Sequence, residues 1–397
     1  MTEREVKQAL GITEMYELNI KLRNVLPDKN ARERYFDEVV DAGVDLKTDF
    51  IRDIYQEESS QRKQLKQDYT PDSLCELFYE LSQHKDTVFD ECAGTGSLSI
   101  SYIAHGTKNV TCIEKSETVF PLLMFNLAIR NISGWLVKED IITRNVAEVY
   151  RLQAGDKYSD IHRDEEYHQQ VRTIISNPPY SLAWNGIPDV RMEGYGIPPK
   201  SKADYLFVLD ILDRLQEDGE AYILLPHGVL FRGNQEGEIR QQLIKRGYIH
   251  GIIGLPDNMF LNTSIPTVML CIRKQPTDMV YIMDATGYAA KEGKVNKLST
   301  ASIKNIAESY KNKTEITKVA RLVGLKEIQS NGYNLNIPRY IDISEPEILP
   351  DLKEVVSDIL QTDAEIRKTE QELAGMMREL VGENYQNDMK EVLRLWS

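Results

Sequence analysis

The chain has 397 residues, 41% of them apolar, and a formal charge of −14. Chains of this size carry one large core with smaller attachments, and no apolar run approaches a membrane span. The acidic balance excludes a protein that grips duplex nucleic acid unaided through a broadly basic face, so any nucleic-acid role predicts clustered positive charge or a partner that brings it.

The N-terminus is charged from its first residues, which predicts neither a secretory signal nor an anchor. The four cysteines, Cys75, Cys92, Cys112 and Cys271, lie far apart with no paired spacing. They read as small core residues of a cytoplasmic protein and give no basis for a structural metal. Residues 1–65 are helix-compatible and end in a polar run over 56–67 that reads as a linker or exposed helix. Thr70 then suits an N-cap and Pro71 the first helical position, ahead of Leu74, Leu77, Phe78 and Leu81 on one face.

Short apolar strands are predicted at 87–90, 110–114, 135–137, 173–176, 220–225, 249–254 and 267–272, separated by amphipathic segments such as Tyr205, Val208, Leu209 and Leu212. That alternation implies an α/β fold with a largely parallel sheet covered on both faces. Ligands of such sheets bind outside the carboxyl ends of the strands. The Gly/Pro-rich stretch 181–203 is too long for a routine connection and reads as a functional lid or a disordered loop. Near the end, Leu352, Val356, Ile359, Ile366, Leu373, Met377 and Leu380 follow an alternating three/four spacing, the seam of a helix that pairs with its own domain or with another subunit.

Two loops carry chemistry. Gly94, Thr95 and Gly96 follow a strand ending in Asp90 and precede a helix-compatible stretch. Glycines there let backbone approach a ligand, in a pattern that serves NAD, flavin and S-adenosylmethionine alike. Glu114 ends the next strand, where a carboxylate can accept ribose hydroxyls; Asp140 follows the third and could receive an adenine amine. Taken singly, the first could be a solvated strand end and the second a helix cap. Asn177-Pro178-Pro179-Tyr180 directly follows the strand over 173–176. Two prolines stiffen the backbone and leave carbonyls without competing N–H donors. The Asn177 side-chain oxygen and the Pro178 carbonyl can accept both hydrogens of an exocyclic amine. Its ring-delocalised lone pair is thereby localised toward an electrophilic methyl. Tyr180 can stack on the extruded base. Such catalysis is positioning and electrostatics, with no metal. This selects S-adenosylmethionine among the cofactors.

From about residue 65 to 342 the chain resembles the N6-adenine DNA methyltransferases, and within them the modification (methylation) subunits of type I restriction–modification systems. The resemblance rests on Tyr69-Thr70-Pro71, on Asp90 through Gly96, on Asn177 through Tyr180, and on the stretches 195–207, 225–231, 255–260, 281–285 and 332–340. It implies a Rossmann-like S-adenosylmethionine-dependent methyltransferase with a mostly parallel seven-stranded sheet. The implied divisions are a short helical N-terminal region (1–65), a catalytic domain (66–345) and a C-terminal helical tail for subunit interaction (346–397). It further implies cofactor contacts from Tyr69, Thr70, Pro71, Asp90, Gly94, Thr95, Gly96, Glu114, Asp140 and Asn177, with Asn177, Pro178, Pro179 and Tyr180 as the catalytic set. The implied partners are double-stranded DNA, a specificity subunit shared by two methylating subunits, and in some systems a restriction nuclease subunit.

The chain departs from the family at Glu91, Cys92 and Ala93, where proline, alanine and cysteine are usual. Its N-terminal region is short, and no target-recognition domain is evident, which again favours a partner that reads sequence. Methyltransferases of protein glutamine or ribosomal RNA share the Asn-Pro-Pro-Tyr tetrapeptide and remain an alternative. So does a non-catalytic methyltransferase-like scaffold.

Overall fold

A computed structural model describes residues 2–52, 54–55, 69–261, 263–293, 295–342 and 351–380. The polar run over 56–67, and the two expected domain boundaries near 65 and 345, lie outside the described residues. Contacts divide the chain into one compact unit, Met1–Ile343, and a second, Ser344–Ser397.

Three helices open the first unit: α1 (Glu3–Leu10), α2 (Met15–Val25) and α3 (Lys29–Asp41). Thr2 and Glu5 form a reciprocal capping box at the start of α1, and Asp28 caps α3 by accepting from the Ala31 N–H at 2.7 Å. Their apolar faces do not close on one another alone. Leu10, Leu18, Leu22, Tyr35 and Phe36 pack in one cluster with Leu122, Leu123, Phe125 and Leu127. These last four lie on a later helix, Phe120–Ala128, which is buried nearly all round. A helix apolar on every face needs cover on every face, and the N-terminal helices supply one side of it. They therefore belong to the body of the sheet domain.

After α4 (Asp72–Leu81) the chain alternates through β1 (Thr87–Asp90), α5 (Ser97–Ala104), β2 (Asn109–Ile113), α6 (Phe120–Ala128) and β3 (Ser133–Asp140). An edge hairpin follows, β4 (Asn145–Ala154) and β5 (Ser159–Asp164), then β6 (Val171–Ser176), α7 (Asp204–Arg214), β7 (Leu215–Pro226), α8 (Asn234–Lys245), β8 (Ile249–Gly254) and β9 (Thr267–Arg273). The remaining elements of this unit are β10 (Met279–Asp284), a small ribbon β11 (Ala289–Glu292) and β12 (Val295–Leu298), α9 (Thr300–Asn312), β13 (Ala320–Gly324) and α10 (Leu325–Ser330).

All seven expected strands are present, and they form the centre of the sheet in the order β3-β2-β1-β6-β7-β9-β8. Within that centre only β9 runs antiparallel to its neighbours. The count is a correction, because the sheet has eleven strands: β4 and β5 extend one edge, β10 and β13 the other. The edge hairpin carries a weak pattern, whereas β10 is a buried apolar run (Val280–Met283) that is absent from the expected strands. In β4 only Val149 and Leu152 are buried, so a solvated edge hairpin gives no apolar run to read.

The order reverses between β1 and β6, which pair in parallel with Asp90 opposite Ile175. From there the chain runs outward through β2 and β3 on one side and through β7 on the other. A crevice opens at such a switch point at the carboxyl ends of the strands. It sets the glycine loop after β1 beside the Asn-Pro-Pro-Tyr loop after β6.

The stretch 181–203 is neither disordered nor a loose lid. Trp184 is tied to it through its backbone N–H and its indole N–H, which donate to the Lys200 and Pro199 carbonyls, each at 2.9 Å. Arg191 is buried and donates to the carbonyls of Ile141 and Ile142 at 2.7 and 2.8 Å, and to Asp210 at 2.8 Å. Polar anchoring of this kind is invisible to hydrophobic periodicity.

In the second unit, α11 (Leu352–Leu380) is a single helix on which Leu352, Val356, Ile359, Ile366 and Leu373 are exposed. Among the described residues no helix is long and apolar enough to cross a membrane.

Candidate active site

The glycine loop is built around two left-handed residues, Gly94 (φ +57°) and Gly96 (φ +98°), the second serving as the N-cap of α5. A Cβ on Gly94 would lie 3.0 Å from the Tyr69 ring, and one on Gly96 would lie 3.0 Å from Leu123. Only glycine lets the chain turn this tightly under Tyr69. The loop is also tied from outside. Asp49, buried in the segment after α3, accepts from the Thr95 hydroxyl at 2.5 Å, the Ser97 hydroxyl at 2.7 Å and the Asn126 amide at 2.8 Å. Asn126 also donates to the Thr95 carbonyl at 2.8 Å. Arg130 donates to the Asn126 side-chain oxygen at 3.0 Å, and to the Leu46 and Thr48 carbonyls. Thr95 is thus spoken for by the scaffold, and its hydroxyl points to Asp49.

Glu114 stands just past β2 and accepts the Gly94 N–H at 3.0 Å and the Ser116 N–H at 2.6 Å. Burial raises its carboxyl above the ordinary range against these hydrogen bonds. Asp90, fully buried at the end of β1, accepts the Ser99 hydroxyl at 3.0 Å. Desolvation pushes its carboxyl up to about 7. Asp140 closes a turn by accepting the Ile142 N–H at 3.1 Å and pairs with Lys115 at 2.9 Å. The structure therefore brings Tyr69, Asp90, Gly94, Gly96 and Glu114 into one loop region. Asp140 sits at the end of β3, with its carboxylate shared between a turn and a lysine.

Glu91, which follows Asp90, is buried just past the end of β1, and its N–H donates to the Ile175 carbonyl of β6 at 3.0 Å. It accepts the Ser176 hydroxyl at 2.7 Å, and Ser176 directly precedes Asn177. Desolvation and the nearby Asp210 raise its carboxyl well above the usual range, opposed by Ser176, Arg214 and Arg191. Glu91 thus forms a side-chain strut from the end of β1 to the end of β6, directly before Asn177. The Asp90 Oδ1 and Glu91 Oε1 atoms are buried without a hydrogen-bond partner among the described residues.

Across the crevice, the Asn177 side chain is held at both ends. Its amide nitrogen donates to the Thr70 hydroxyl at 2.9 Å, and its oxygen accepts the Tyr180 hydroxyl at 2.9 Å. This corrects the expected helix start. The N-cap of α4 is Pro71, which makes no side-chain cap bond; Thr70 lies one residue earlier and turns its hydroxyl to Asn177 instead. Beyond Tyr180, Ser181 adopts a left-handed conformation (φ +51°), and its N–H donates to the buried Asp204 carboxylate at 2.7 Å. The Tyr180 ring meets Phe260 edge to face, centroids 6.1 Å apart.

Sequence reasoning missed Asp49, which it assigned to a separate N-terminal region, and gave Phe260 no role of its own. A lone aspartate after a helix carries no motif. Phe260 lies in a stretch singled out only by resemblance.

The strand order with one reversed strand, and a glycine loop facing a proline-stiffened amide across the switch point, define a Rossmann-like methyltransferase fold. The chain belongs to the N-6 DNA Methylase family, whose family model matches residues 49–347, beginning at the aspartate that ties the glycine loop. It is 29% identical over 301 residues to the type I restriction enzyme MpnII methylase subunit of Mycoplasma pneumoniae, covering 70% of this chain and 53% of that one. It is 27% identical over 316 residues to the MjaVII methylase subunit of Methanocaldococcus jannaschii, covering 72% and 52%. The chain thus spans about half the length of the curated relatives it matches. Among solved structures it resembles the type I restriction–modification methyltransferase subunit from Streptococcus thermophilus, with a TM-score of 0.64 and 27% identity over 85% of this chain and 79% of that one.

Proposed function

We propose that this chain is the methylating subunit of a multisubunit DNA methyltransferase, acting on the exocyclic N6 amine of adenine. The observation that carries the reading is the Asn177 side-chain oxygen held at the carboxyl end of β6, next to Pro178 and Pro179, across the switch point from the glycine loop. The relatives named above are methylase subunits of type I restriction enzymes, which supports the same substrate class.

The residues fit S-adenosylmethionine. Gly94 and Gly96 let the loop turn tightly at the carboxyl end of β1, and Glu114 holds the Gly94 N–H beside it. Tyr69, Pro71, Asp90, Thr95 and Asp140 complete the set that would hold the cofactor, Asp90 and Thr95 from beneath the loop; Thr70 and Asn177, expected in the same set, bond to one another and are given to the amine side. When bound, the cofactor supplies a methyl group activated by a sulfonium. The chain's own contribution is to the amine. Asn177 and the Pro178 carbonyl accept its two hydrogens and orient its lone pair, in a site that needs no reorganisation at the moment of transfer. Tyr180 and Phe260 form an aromatic corner against which an extruded base can stack.

Sequence choice is assigned to a specificity subunit shared by two methylating subunits in the cytoplasm, with α11 as the element that meets it. The charge of −14 supports a partner that supplies the phosphate contacts. The test is a substrate panel: DNA with the co-expressed specificity subunit, ribosomal RNA, and a glutamine-bearing protein. Methyl transfer to DNA adenine alone supports the reading; transfer to RNA or protein and none to DNA overturns it. Ile359→Asp with Ile366→Asp should abolish co-purification of the specificity subunit while leaving cofactor affinity unchanged. Retained co-purification would remove α11 from the interface.

A further inference from the structure

The side chain of Asn177 is bracketed by two hydroxyls, and neither is where a simpler account would put it. Thr70 precedes a helix and has the residue type of an N-cap, yet Pro71 holds that position without a side-chain bond and the Thr70 hydroxyl goes to the Asn177 amide nitrogen at 2.9 Å. Tyr180 has the ring expected to stack on a base, yet its hydroxyl is folded back 2.9 Å onto the Asn177 oxygen. That oxygen is the atom assigned above to accept a hydrogen of the target amine. Its present partner and its future one are both hydrogen-bond donors, so the phenol occupies one of the two acceptor positions of the oxygen that the amine must reach.

We infer that Thr70, Asn177 and Tyr180 form a relay in which Thr70 sets the direction of the Asn177 amide and the Tyr180 hydroxyl occupies the amide oxygen until the substrate amine displaces it. Thr70 is a positioning residue. Its hydroxyl accepts from the amide nitrogen and so turns the oxygen outward, toward Tyr180 and the aromatic corner with Phe260. Thr70 can serve as a fixed post because its own backbone is anchored. Its carbonyl accepts from Arg52 at 3.1 Å and from the Cys75 thiol at 3.6 Å, Arg52 pairs with Asp72 at 2.5 Å, and Thr70 is buried.

The Tyr180 hydroxyl has the opposite character. It reaches back from a half-buried residue followed at once by the left-handed turn at Ser181. An amide oxygen left without a donor in a part-buried site loses a hydrogen bond that little water can replace. The phenol supplies that bond before the base arrives and surrenders the oxygen when the amine takes over. The exchange trades one neutral hydrogen bond for another, so it opposes base capture only modestly. The methyl transfer itself is unaltered: the amine nitrogen gains the methyl, the carrier's sulfur keeps the electron pair of the broken bond, and the amine proton is released to solvent.

This inference rests on the proposed reading of Asn177, and its test separates the two. First, in the ligand-free protein labelled with ¹⁵N-asparagine, the side-chain amide signal of Asn177, identified by its loss in Asn177→Asp, should shift in both Thr70→Val and Tyr180→Phe and return to its wild-type position in Thr70→Ser. An unmoved signal in either variant overturns the relay whatever the substrate is. Second, with the specificity subunit and DNA, Tyr180→Phe should lower the KM for DNA by about three- to tenfold, since the ring remains and the competing donor is gone. Thr70→Val should lower kcat by about tenfold with the KM for DNA within twofold, and Thr70→Ser should restore it. A Tyr180→Phe variant with raised KM would mean that the hydroxyl holds the base and does not keep its place. Loss of S-adenosylmethionine binding by calorimetry in Thr70→Val would assign Thr70 to the cofactor and overturn its positioning role. If the amide signal moves as expected while no DNA is methylated, the relay stands and the DNA reading falls.

Discussion

The two walls of the crevice are held in different ways. On the glycine-loop side, the buried Asp49 gathers three side-chain donors, Asn126 and Arg130 lock the surrounding carbonyls, and the N-terminal helices press on α6 behind it. On the Asn177 side, the reacting group is held by two hydroxyls, one of them on the half-buried Tyr180. On the proposed reading the first wall holds the cofactor and gains from rigidity, because the bound shape is the same in every turnover. The second would receive an extruded base and exchange its hydrogen bonds each time, which suits contacts that are few and individually weak. The N-terminal region, which sequence alone sets apart, serves the rigid wall.

This contrast can be broken from either side. The largest effect belongs to Asn177→Ala, which should lower the transfer rate by about a hundred- to a thousandfold or more, the scale for losing one aimed polar group. Cofactor affinity measured by calorimetry should change less than twofold, and loss of binding would place Asn177 on the wrong wall. Asp49→Asn should act in the reverse sense. It leaves one of three clustered donors opposed by an amide N–H, so cofactor affinity should fall about tenfold and the urea midpoint should correspond to a loss of about 2–3 kcal/mol. A variant with normal cofactor binding would mean that the tether merely stabilises the fold. Tyr180→Ala should weaken capture of the base by about 1–3 kcal/mol, read from a fluorescent base analogue at the target position, with no change in cofactor affinity.

The last effect is a slope across pH. The Asp90 carboxyl is raised by burial from 3.8 to about 7, so the folded chain holds this proton where the unfolded chain has released it. Its contribution is therefore fully present below about pH 4 and is lost as the pH rises toward about 7, by at most about 1.4 kcal/mol per unit. Denaturant midpoints across that window should fall less steeply in Asp90→Asn than in the wild type. An identical slope in both would show that Asp90 titrates normally.

Much of the rigid wall's position was legible, and little of its support. Gly94, Gly96 and Asp90 announce themselves because only glycine tolerates the left-handed turn under Tyr69 and because a strand ends at an acid. All seven central strands were readable from apolar runs. β4 and β5 were not, since they present charged, half-solvated edges, while β10 was missed although Val280–Met283 form a buried apolar run. Asp49 was hidden for a different reason: its partners are two hydroxyls and an amide scattered through the chain, and no local pattern connects them. On the other wall the Asn177 tetrapeptide was legible, but the use of Thr70 was misread. A residue well suited to cap a helix by local propensity was drawn to a tertiary partner, leaving the cap to Pro71.

The central claim is that Asn177 presents an adenine amine to a methyl donor. The most direct measurement uses the chain co-expressed with the proposed specificity subunit, S-adenosylmethionine labelled in the methyl group, and unmethylated genomic DNA, followed by nucleoside analysis. The account predicts label in N6-methyladenine for the wild type, none for Asn177→Ala, and cofactor bound in both. Label in adenine from the Asn177→Ala assembly at the wild-type rate would contradict it.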